Sequence, residues 1–278
     1  MSKLSDQQKI DLVQEYTTQI VTATDLANKY GVSLTSISSI LKNRGIKRRI
    51  PRKYPFNEQY FDVVDNEDKA YILGFLYADG CNYEKRGSII VALQETDAEI
   101  LNLIKEKIGL KKPLMLRDRS KDKDSNKRKN QLALEICSRH FSNSLVQLGC
   151  FQAKSLVLNF PTKEQVPSHL MSHFMRGYFD GDANFLKYEH KDRNCQNYKI
   201  SFGSSNIFCK SFADFIKENF NIHTSIYHPK DKHELYDTVM ISGRIQCKKV
   251  LDWVYKDATI YLKRKYDKYL EIFGEQNG

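Results

Sequence analysis

No run in this chain approaches 18 consecutive apolar residues, which excludes a membrane-spanning helix of ordinary length. The first residues, MSKLSDQQKIDLVQ, lack the basic-then-apolar layout of a secretory signal, so the cytoplasm or another reducing compartment is expected and secretion is not. The six cysteines (Cys81, Cys137, Cys150, Cys195, Cys209 and Cys247) are scattered and form no Cys-x-x-Cys pair. A chain of 278 residues buries enough core to need no disulfide staples, so these thiols are expected to be reduced. The seven histidines are equally dispersed, and the absence of His-Glu-x-x-His or a Cys/His cluster removes the usual zinc chemistries.

What is present is an ordinary globular composition, 41% hydrophobic and 28% charged, with an excess of positive charge. A net charge of +10 favours polyanionic partners. The charge is also concentrated. Four of the eight basic residues in 1–50 fall within 44–49, and residues 111–130 carry nine basic residues against three acidic ones without apolar periodicity.

Residues 1–48 read as a three-helix unit. Ile10, Leu12, Val13 and Tyr16 give a first amphipathic helix; Thr24 or Asp25 caps a second that carries Leu26 and Ala27; Ser33 caps a third that carries Ile37, Ile40 and Leu41. Gly31 makes the turn between the last two, Val32 plugs the small core, and Gly45 stops the third helix. The spacing resembles a helix-turn-helix. The third helix offers Thr35, Ser36, Ser39, Lys42 and Asn43, followed by Lys47, Arg48 and Arg49, a set suited to base edges and phosphates of DNA. A helical bundle used for protein contact or stability is the alternative. Residues 49–66, with two prolines and no sustained pattern, read as a linker that becomes ordered near Phe61 and Val63–Val64; Arg52 and Lys53 add positive charge to it.

From residue 67 the chain repeats itself. The first copy, 67–163, is expected to run helix 68–79, strand 87–93, helix 97–108, strands 113–118 and 130–136, helix 139–148. The second, 164–274, runs helix 165–182, strand 197–203, helix 205–218, strands 222–227 and 234–241, helix 244–255. Additional strands near 81–84 and 184–188 complete both. Alternation at Leu132, Leu134 and Ile136 predicts sheets covered by helices on one face and free on the other. Asp79 and Asp182 are 103 residues apart, and Arg139 and Arg244, each at a strand-to-helix junction, are 105 apart. Two matches at nearly one offset imply a pseudo-two-fold monomer, which suits a double helix.

The repeated helices end in Asp79-Gly80 and Asp182-Ala183. Each has small residues four apart, Gly74 with Ala78 and Gly177 with Gly181, hence on one face, so the two helices can cross backbone against backbone. Such a crossing brings Asp79 and Asp182 together. Two carboxylates at the negative ends of helix dipoles repel, which is poor for stability and sensible for divalent cations. The plainer reading of either copy alone is a helix that stops at Asp-Gly or Asp-Ala; the paired small-residue faces weigh against it.

AYILGFLYADG (70–80) and HFMRGYFDGDANF (173–185) resemble the paired signatures of the LAGLIDADG homing endonucleases, in their single-chain form with two motif copies; YKDATIYLKRKYDKYLEI (255–272) resembles the closing segment of free-standing members. The resemblance covers about residues 60–273, with the helix-turn-helix as an added module. It implies an α+β fold in which two αββαββα half-domains form a saddle on DNA. It also implies cleavage of both strands of a long asymmetric site across the minor groove, leaving four-base 3′ overhangs, by a monomer in a DNA-containing compartment. Asp79 and Asp182 fall on the family's metal-binding positions, with the carbonyls of Gly80 and Ala183 beside them; two or three Mg²⁺ ions are expected, with Mn²⁺ as a substitute. Arg139, Arg244 and Gln94, with Ser204 as a weaker counterpart of Gln94, match by location the groups that position water and stabilise charge. Arg117, Arg119, Lys121, Lys123 and Arg128, with Lys127 and Lys129, belong to a hairpin-tip loop that reaches round the duplex; Lys263, Arg264 and Lys265 are assigned to packing and solubility. Tyr77 departs from the acidic or polar residue usual at its position, which Asp180 keeps. Ala183 replaces a glycine, implying about 1 kcal/mol of strain if the backbone there is left-handed. The alternative on the same fold is a non-cleaving DNA-binding regulator or maturase. The ends lack the Cys or Ser start and His-Asn finish of a splicing element.

Overall fold

The computed structural model describes residues 4–18, 21–48, 53–119, 129–190 and 195–274, in two compact units divided between Pro55 and Phe56. In the first unit, helices α1 (Asp6–Thr18), α2 (Ala23–Tyr30) and α3 (Leu34–Asn43) enclose Leu12, Tyr16, Leu26, Ala27, Ile37 and Leu41, with Val13, Val32 and Ile40 partly buried against them. Ile10, expected on the apolar face, is 46% exposed. Helix α2 is capped by Thr22 rather than Thr24 or Asp25: the Thr22 hydroxyl accepts from the Asp25 N–H, and the Asp25 carboxylate accepts from the Thr22 N–H. Asp25 thus supplies the far side of a capping box. Gly31 adopts φ 63°, the left-handed turn that lets Val32 fold back and donate to the Ala27 carbonyl.

The second unit begins earlier than the expected linker ends. Phe61 is buried and packs edge-on against Phe141, as does Phe56; Tyr60 and Val64 are also buried, whereas Val63 is exposed. The Asn57 N–H donates to the Ile108 carbonyl, and the Asp62 carboxylate accepts from the Ser144 hydroxyl. Residues 56–66 are therefore part of this unit.

Here one element order occurs twice. The first pass is α4 (Glu67–Asp79), β1 (Gly80–Tyr83), β2 (Ser88–Gln94), α5 (Ala98–Ile108), β3 (Met115–Arg117), β4 (Gln131–Cys137) and α6 (Arg139–Gln147). The second is α7 (Met171–Asp182), β5 (Asn184–His190), β6 (Cys195–Ser205), α8 (Asn206–Phe220), β7 (Ser225–Tyr227), β8 (Tyr236–Ser242) and α9 (Arg244–Tyr255), followed by α10 (Lys263–Phe273). Each pass forms an antiparallel four-stranded sheet, ordered β1-β2-β4-β3 and β5-β6-β8-β7. Helix α7 starts later than residue 165 because Pro167 holds extended backbone and Ser168–Leu170 form a 3₁₀ turn first.

Strand register decides what each sheet face carries, because cross-strand partners share a face. Ile89 pairs with Ile136 and Val91 with Leu134, and this inward face is buried under α5 and α6. Cys81, Tyr83, Gln94, Glu135 and Arg117 follow the opposite register. In the second sheet Phe185, Ile200, Phe202, Val239 and Ile241 face inward, while Leu186, Tyr188, Lys199, Thr238 and Tyr227 face outward. Among the described residues these outward positions are mainly polar and aromatic, with Arg117 and Lys199 as their cations.

Candidate active site

Helix α4 is buried from Ala70 to Tyr77 on every side, because it packs against α7 in the centre of the unit. The contact is reciprocal. A methyl group on Gly74 would fall on the carbonyl of Phe174, and one on Gly177 would fall on the carbonyl of Tyr71. Tyr71 and Phe174 are themselves 103 residues apart, so each helix offers the same glycine to the same turn of the other, as a two-fold relation requires. Ala78 and Gly181, also 103 apart, meet each other: a methyl on Gly181 would strike the Ala78 Cβ and come within 3.2 Å of the Asp79 carboxylate. The small residues thus let the helix ends converge beside Asp79.

Asp79 is half-buried, whereas Asp182 keeps contact with solvent although protein crowds it, so the pair lies in a recess open to water. Burial pushes Asp79 above the usual carboxylate range, against the pull of Lys154, Arg264 and Lys265. Burial and the neighbouring Asp79 push Asp182 up to about 7. The mutual repulsion expected of paired carboxylates is therefore present.

Two lysines complete the site: Lys154, which the sequence reading did not name, and Lys265, which it assigned to packing and solubility. The Lys154 ammonium donates to the Gly80 carbonyl and the Lys265 ammonium to the Ala183 carbonyl. Lys154 is buried, in a 3₁₀ turn after α6 that Ala153 enters with φ 55°. Lys265 lies in the first turn of α10, and burial brings it down to about 8. Their separation is 111 residues rather than 103, so the repeat offset does not reveal them. Arg264 holds both Asp97 oxygens at 3.0 Å, tying α10 to the start of α5. Arg264, which does pack, thus fixes the helix turn that carries Lys265 to the site.

The other groups matched by location lie as follows. Arg139 follows β4, whose Cys137 pairs with Ser88, while Gly80 pairs with Val91 three residues further along. Arg139 lies further on, beside Gly87 in the β1–β2 turn, where its guanidinium donates to the Lys85 carbonyl at 3.3 Å. Arg244 lies over the ring of Tyr198, within β6, at 5.9 Å, and Gln94 is exposed at the other end of β2. None of the three is among the groups acting on Asp79 or Asp182. Ala183 has φ −78° and Gly80 φ −79°, so neither is left-handed and alanine carries no strain at 183. The Gly80 and Ala183 carbonyls already accept from ammonium groups.

The Tyr77 difference also has a structural reason. Tyr77 is buried and donates to the Leu148 carbonyl. Its counterpart Asp180 is fully buried and accepts from Tyr71 Oη (2.8 Å), Tyr255 Oη (2.7 Å) and the Leu262 N–H (2.6 Å). Burial raises Asp180 to about 6 although these donors favour its charged form. Each side chain latches its helix to the chain that closes its half.

Of the residues assigned to DNA, Thr35, Ser36, Ser39, Lys42, Asn43, Lys47, Arg48 and Lys53 are exposed. The Ser36 hydroxyl shares a hydrogen bond with Ser33, and Arg48 donates to Ser38 Oγ at 3.2 Å. Arg117 is exposed on β3, and Arg119 donates to Gln131 at 3.3 Å. Arg49, Arg52, Lys121, Lys123, Lys127 and Arg128 lie outside the described residues.

Among the described residues no group of three or more His, Cys, Asp or Glu side chains could hold a metal ion. A hard cation here would have the Asp79 and Asp182 carboxylates, with the remaining positions left to water and phosphate oxygens. Carboxylates at the negative ends of two helices fit that chemistry. No helix among the described residues is long and apolar enough to cross a membrane.

Residues 170–254 match the family model of the LAGLIDADG-like domain. No curated protein matches the chain. Similar solved structures include the I-LtrWI LAGLIDADG homing endonuclease bound to target DNA, at 14% identity and a TM-score of 0.48, over 78% of this chain and 90% of that one. The LAGLIDADG homing endonuclease I-GzeII in complex with its DNA target gives 12%, 0.48, 73% and 87%. Meganuclease I-SmaMI bound to uncleaveable DNA gives 10%, 0.49, 73% and 87%.

Proposed function

We propose that this protein is a site-specific double-stranded-DNA endonuclease of the homing type, acting as a monomer with divalent cations held by Asp79 and Asp182. The observation that carries this reading is the reciprocal packing of α4 and α7, which ends in two carboxylates with an ammonium group beside each. Nothing in helix packing calls for charged groups there, and hydrolysis of two phosphodiesters does. When bound, Mg²⁺, or Mn²⁺ in its place, would supply an activated water and neutralise the charge on the leaving 3′ oxygen. The protein's own contribution is fixed placement: Asp79 and Asp182 orient the hard ligands, and Lys154 and Lys265 stabilise charge on the phosphates. The two sheets form the saddle, their outward faces reading base edges, and the three-helix unit is a helix-turn-helix that adds contacts through α3. The expected product has four-base 3′ overhangs.

The test is to incubate the protein and Mg²⁺ with a library of DNA fragments that includes the sequences flanking its gene, and to map the ends. Recurrent double-strand breaks at one long site support the reading. Binding without breaks supports the non-cleaving regulator or maturase and removes the nuclease.

Two further outcomes follow from the site's charges. Lys154→Met and Lys265→Met are each expected to slow cleavage about 100-fold, since each removes one donor from a low-dielectric site. DNA affinity should change less than about threefold, because most phosphate contacts lie elsewhere. Single-turnover rates and filter binding measure the two effects separately. A pH series gives the second outcome. Asp182 keeps its proton below about 7, and a cation must displace it, so Mn²⁺ affinity should fall as pH drops through about 7. The sign reverses for the metal-free protein. There the folded carboxyl keeps a proton that the unfolded one loses near 3.8, so the contribution is full below about 3.8, is lost progressively as pH rises towards about 7, and is absent above it. Urea melts at pH 5.5 and 8 without metal check the second sign.

A further inference from the structure

A cleft of about 530 Å³ opens between α8, α9 and the segment leading into α7. Its wall is aromatic. Phe160 meets Phe215 at 5.5 Å between ring centroids, Phe215 meets Trp253 at 5.7 Å, and Trp253 meets Phe220 at 5.1 Å. All four rings are half-buried. Helix α8 already fills the core with Phe208, Phe212 and Ile216, so Phe215 and Phe220 present a second apolar flank that the fold does not cover.

Two carboxylates stand on this flank of a chain whose net charge is +10. Asp214 and Glu218, one turn apart on α8, line the cleft and are exposed. Neither enters any ion pair or hydrogen bond among the described residues, and like charges at this spacing weaken a helix slightly. Lys163 is the cation in the lining, while Lys249 is engaged at the flank, donating to the Phe220 carbonyl at 2.9 Å with its ammonium 5.9 Å from the Phe220 ring. Two unpaired carboxylates disfavour a nucleic-acid phosphate at this position. Aromatic faces beside carboxylates suit a planar cation, which stacks on the rings and forks to the acids.

We infer that this cleft is a docking site for a partner protein, and that the occupant is an arginine side chain flanked by apolar residues on an exposed segment of that partner. The cleft is on the helical side of the second sheet, away from its outward face, so an occupant does not compete with a ligand on that face. The inference stands apart from the nuclease reading, since no residue of the cleft belongs to the site at Asp79 and Asp182.

Trp253 is the one tryptophan in the sequence, so its emission reports this cleft in the intact protein. The experiment pans a random heptapeptide library on the full chain, then titrates recovered peptides against Trp253 emission. Peptides with an arginine between apolar residues should be enriched and should shift the emission. Their citrulline versions, and the Asp214→Asn/Glu218→Gln double variant, should bind roughly tenfold more weakly. These are surface changes, and an unaltered melting midpoint will show that the variant is folded. Enrichment of acidic or purely apolar peptides, binding insensitive to the double variant, or no enrichment at all would overturn the proposal.

Discussion

Replacing Asp79 or Asp182 by asparagine is expected to abolish double-strand cleavage while leaving DNA affinity nearly unchanged. Asparagine keeps the size of aspartate and one acceptor oxygen but loses the charge that binds a hard cation. Loss of the ion's Lewis-acid and charge-neutralising contributions, several kcal/mol, slows the chemical step about 1,000-fold or more. Because both carboxylates are pushed upward by burial and Asp182 also by Asp79, removing one charge relieves the other. The variants should therefore be at least as stable as the parent without metal. That separates a catalytic role from a structural one: parallel loss of folding, binding and cleavage would mean that the two carboxylates hold the helix ends in place. Plasmid linearisation, gel shift and a urea melt on the same preparations distinguish the outcomes.

The largest effect on stability is expected at the helix crossing. Gly177→Ala places a methyl group on the Tyr71 carbonyl, and Gly74→Ala places one on the Phe174 carbonyl. Backbone cannot move aside as a side chain does, so α4 and α7 must separate and loosen the interface along its length. A cost of about 3–5 kcal/mol is expected for either change. The double variant should cost less than the sum, since one separation relieves both clashes. Gly109→Ala is the comparison. Gly109 has φ 74° with no atom within 4 Å of an added methyl, so only the left-handed backbone penalty of about 1 kcal/mol applies. Equal losses at positions 109 and 177 would contradict the close approach. Partial separation would also move Asp79 relative to Asp182, so any Gly177→Ala protein that folds should cleave slowly.

The sequence was legible where physics is local or repeats. Ser33 caps the helix it precedes, and Leu134 and Ile136 are buried on the inward face of their strand, as their alternation implies. The offset of 103 found Asp79 with Asp182 and the glycine pairs. It failed at Lys154 and Lys265, which reach equivalent carbonyls from unlike segments, one a 3₁₀ turn and the other an added helix. It also paired Arg139 with Arg244, of which the first donates to the Lys85 carbonyl in the β1–β2 turn and the second lies over Tyr198 on β6. Equivalence in sequence gives equivalence in space, and does not give proximity to a third point.

The chain by itself determined that two helices with small-residue faces recur, that each ends in aspartate, and that positive charge exceeds negative. These follow from residue type and spacing, which set helix faces directly. Only the tertiary structure decided which cations meet those aspartates, because side chains 75 to 83 residues away in sequence converge through packing that no local pattern encodes. It also decided that Ala183 is unstrained and that Asp180 is a buried latch, since backbone angle and burial belong to the assembled core.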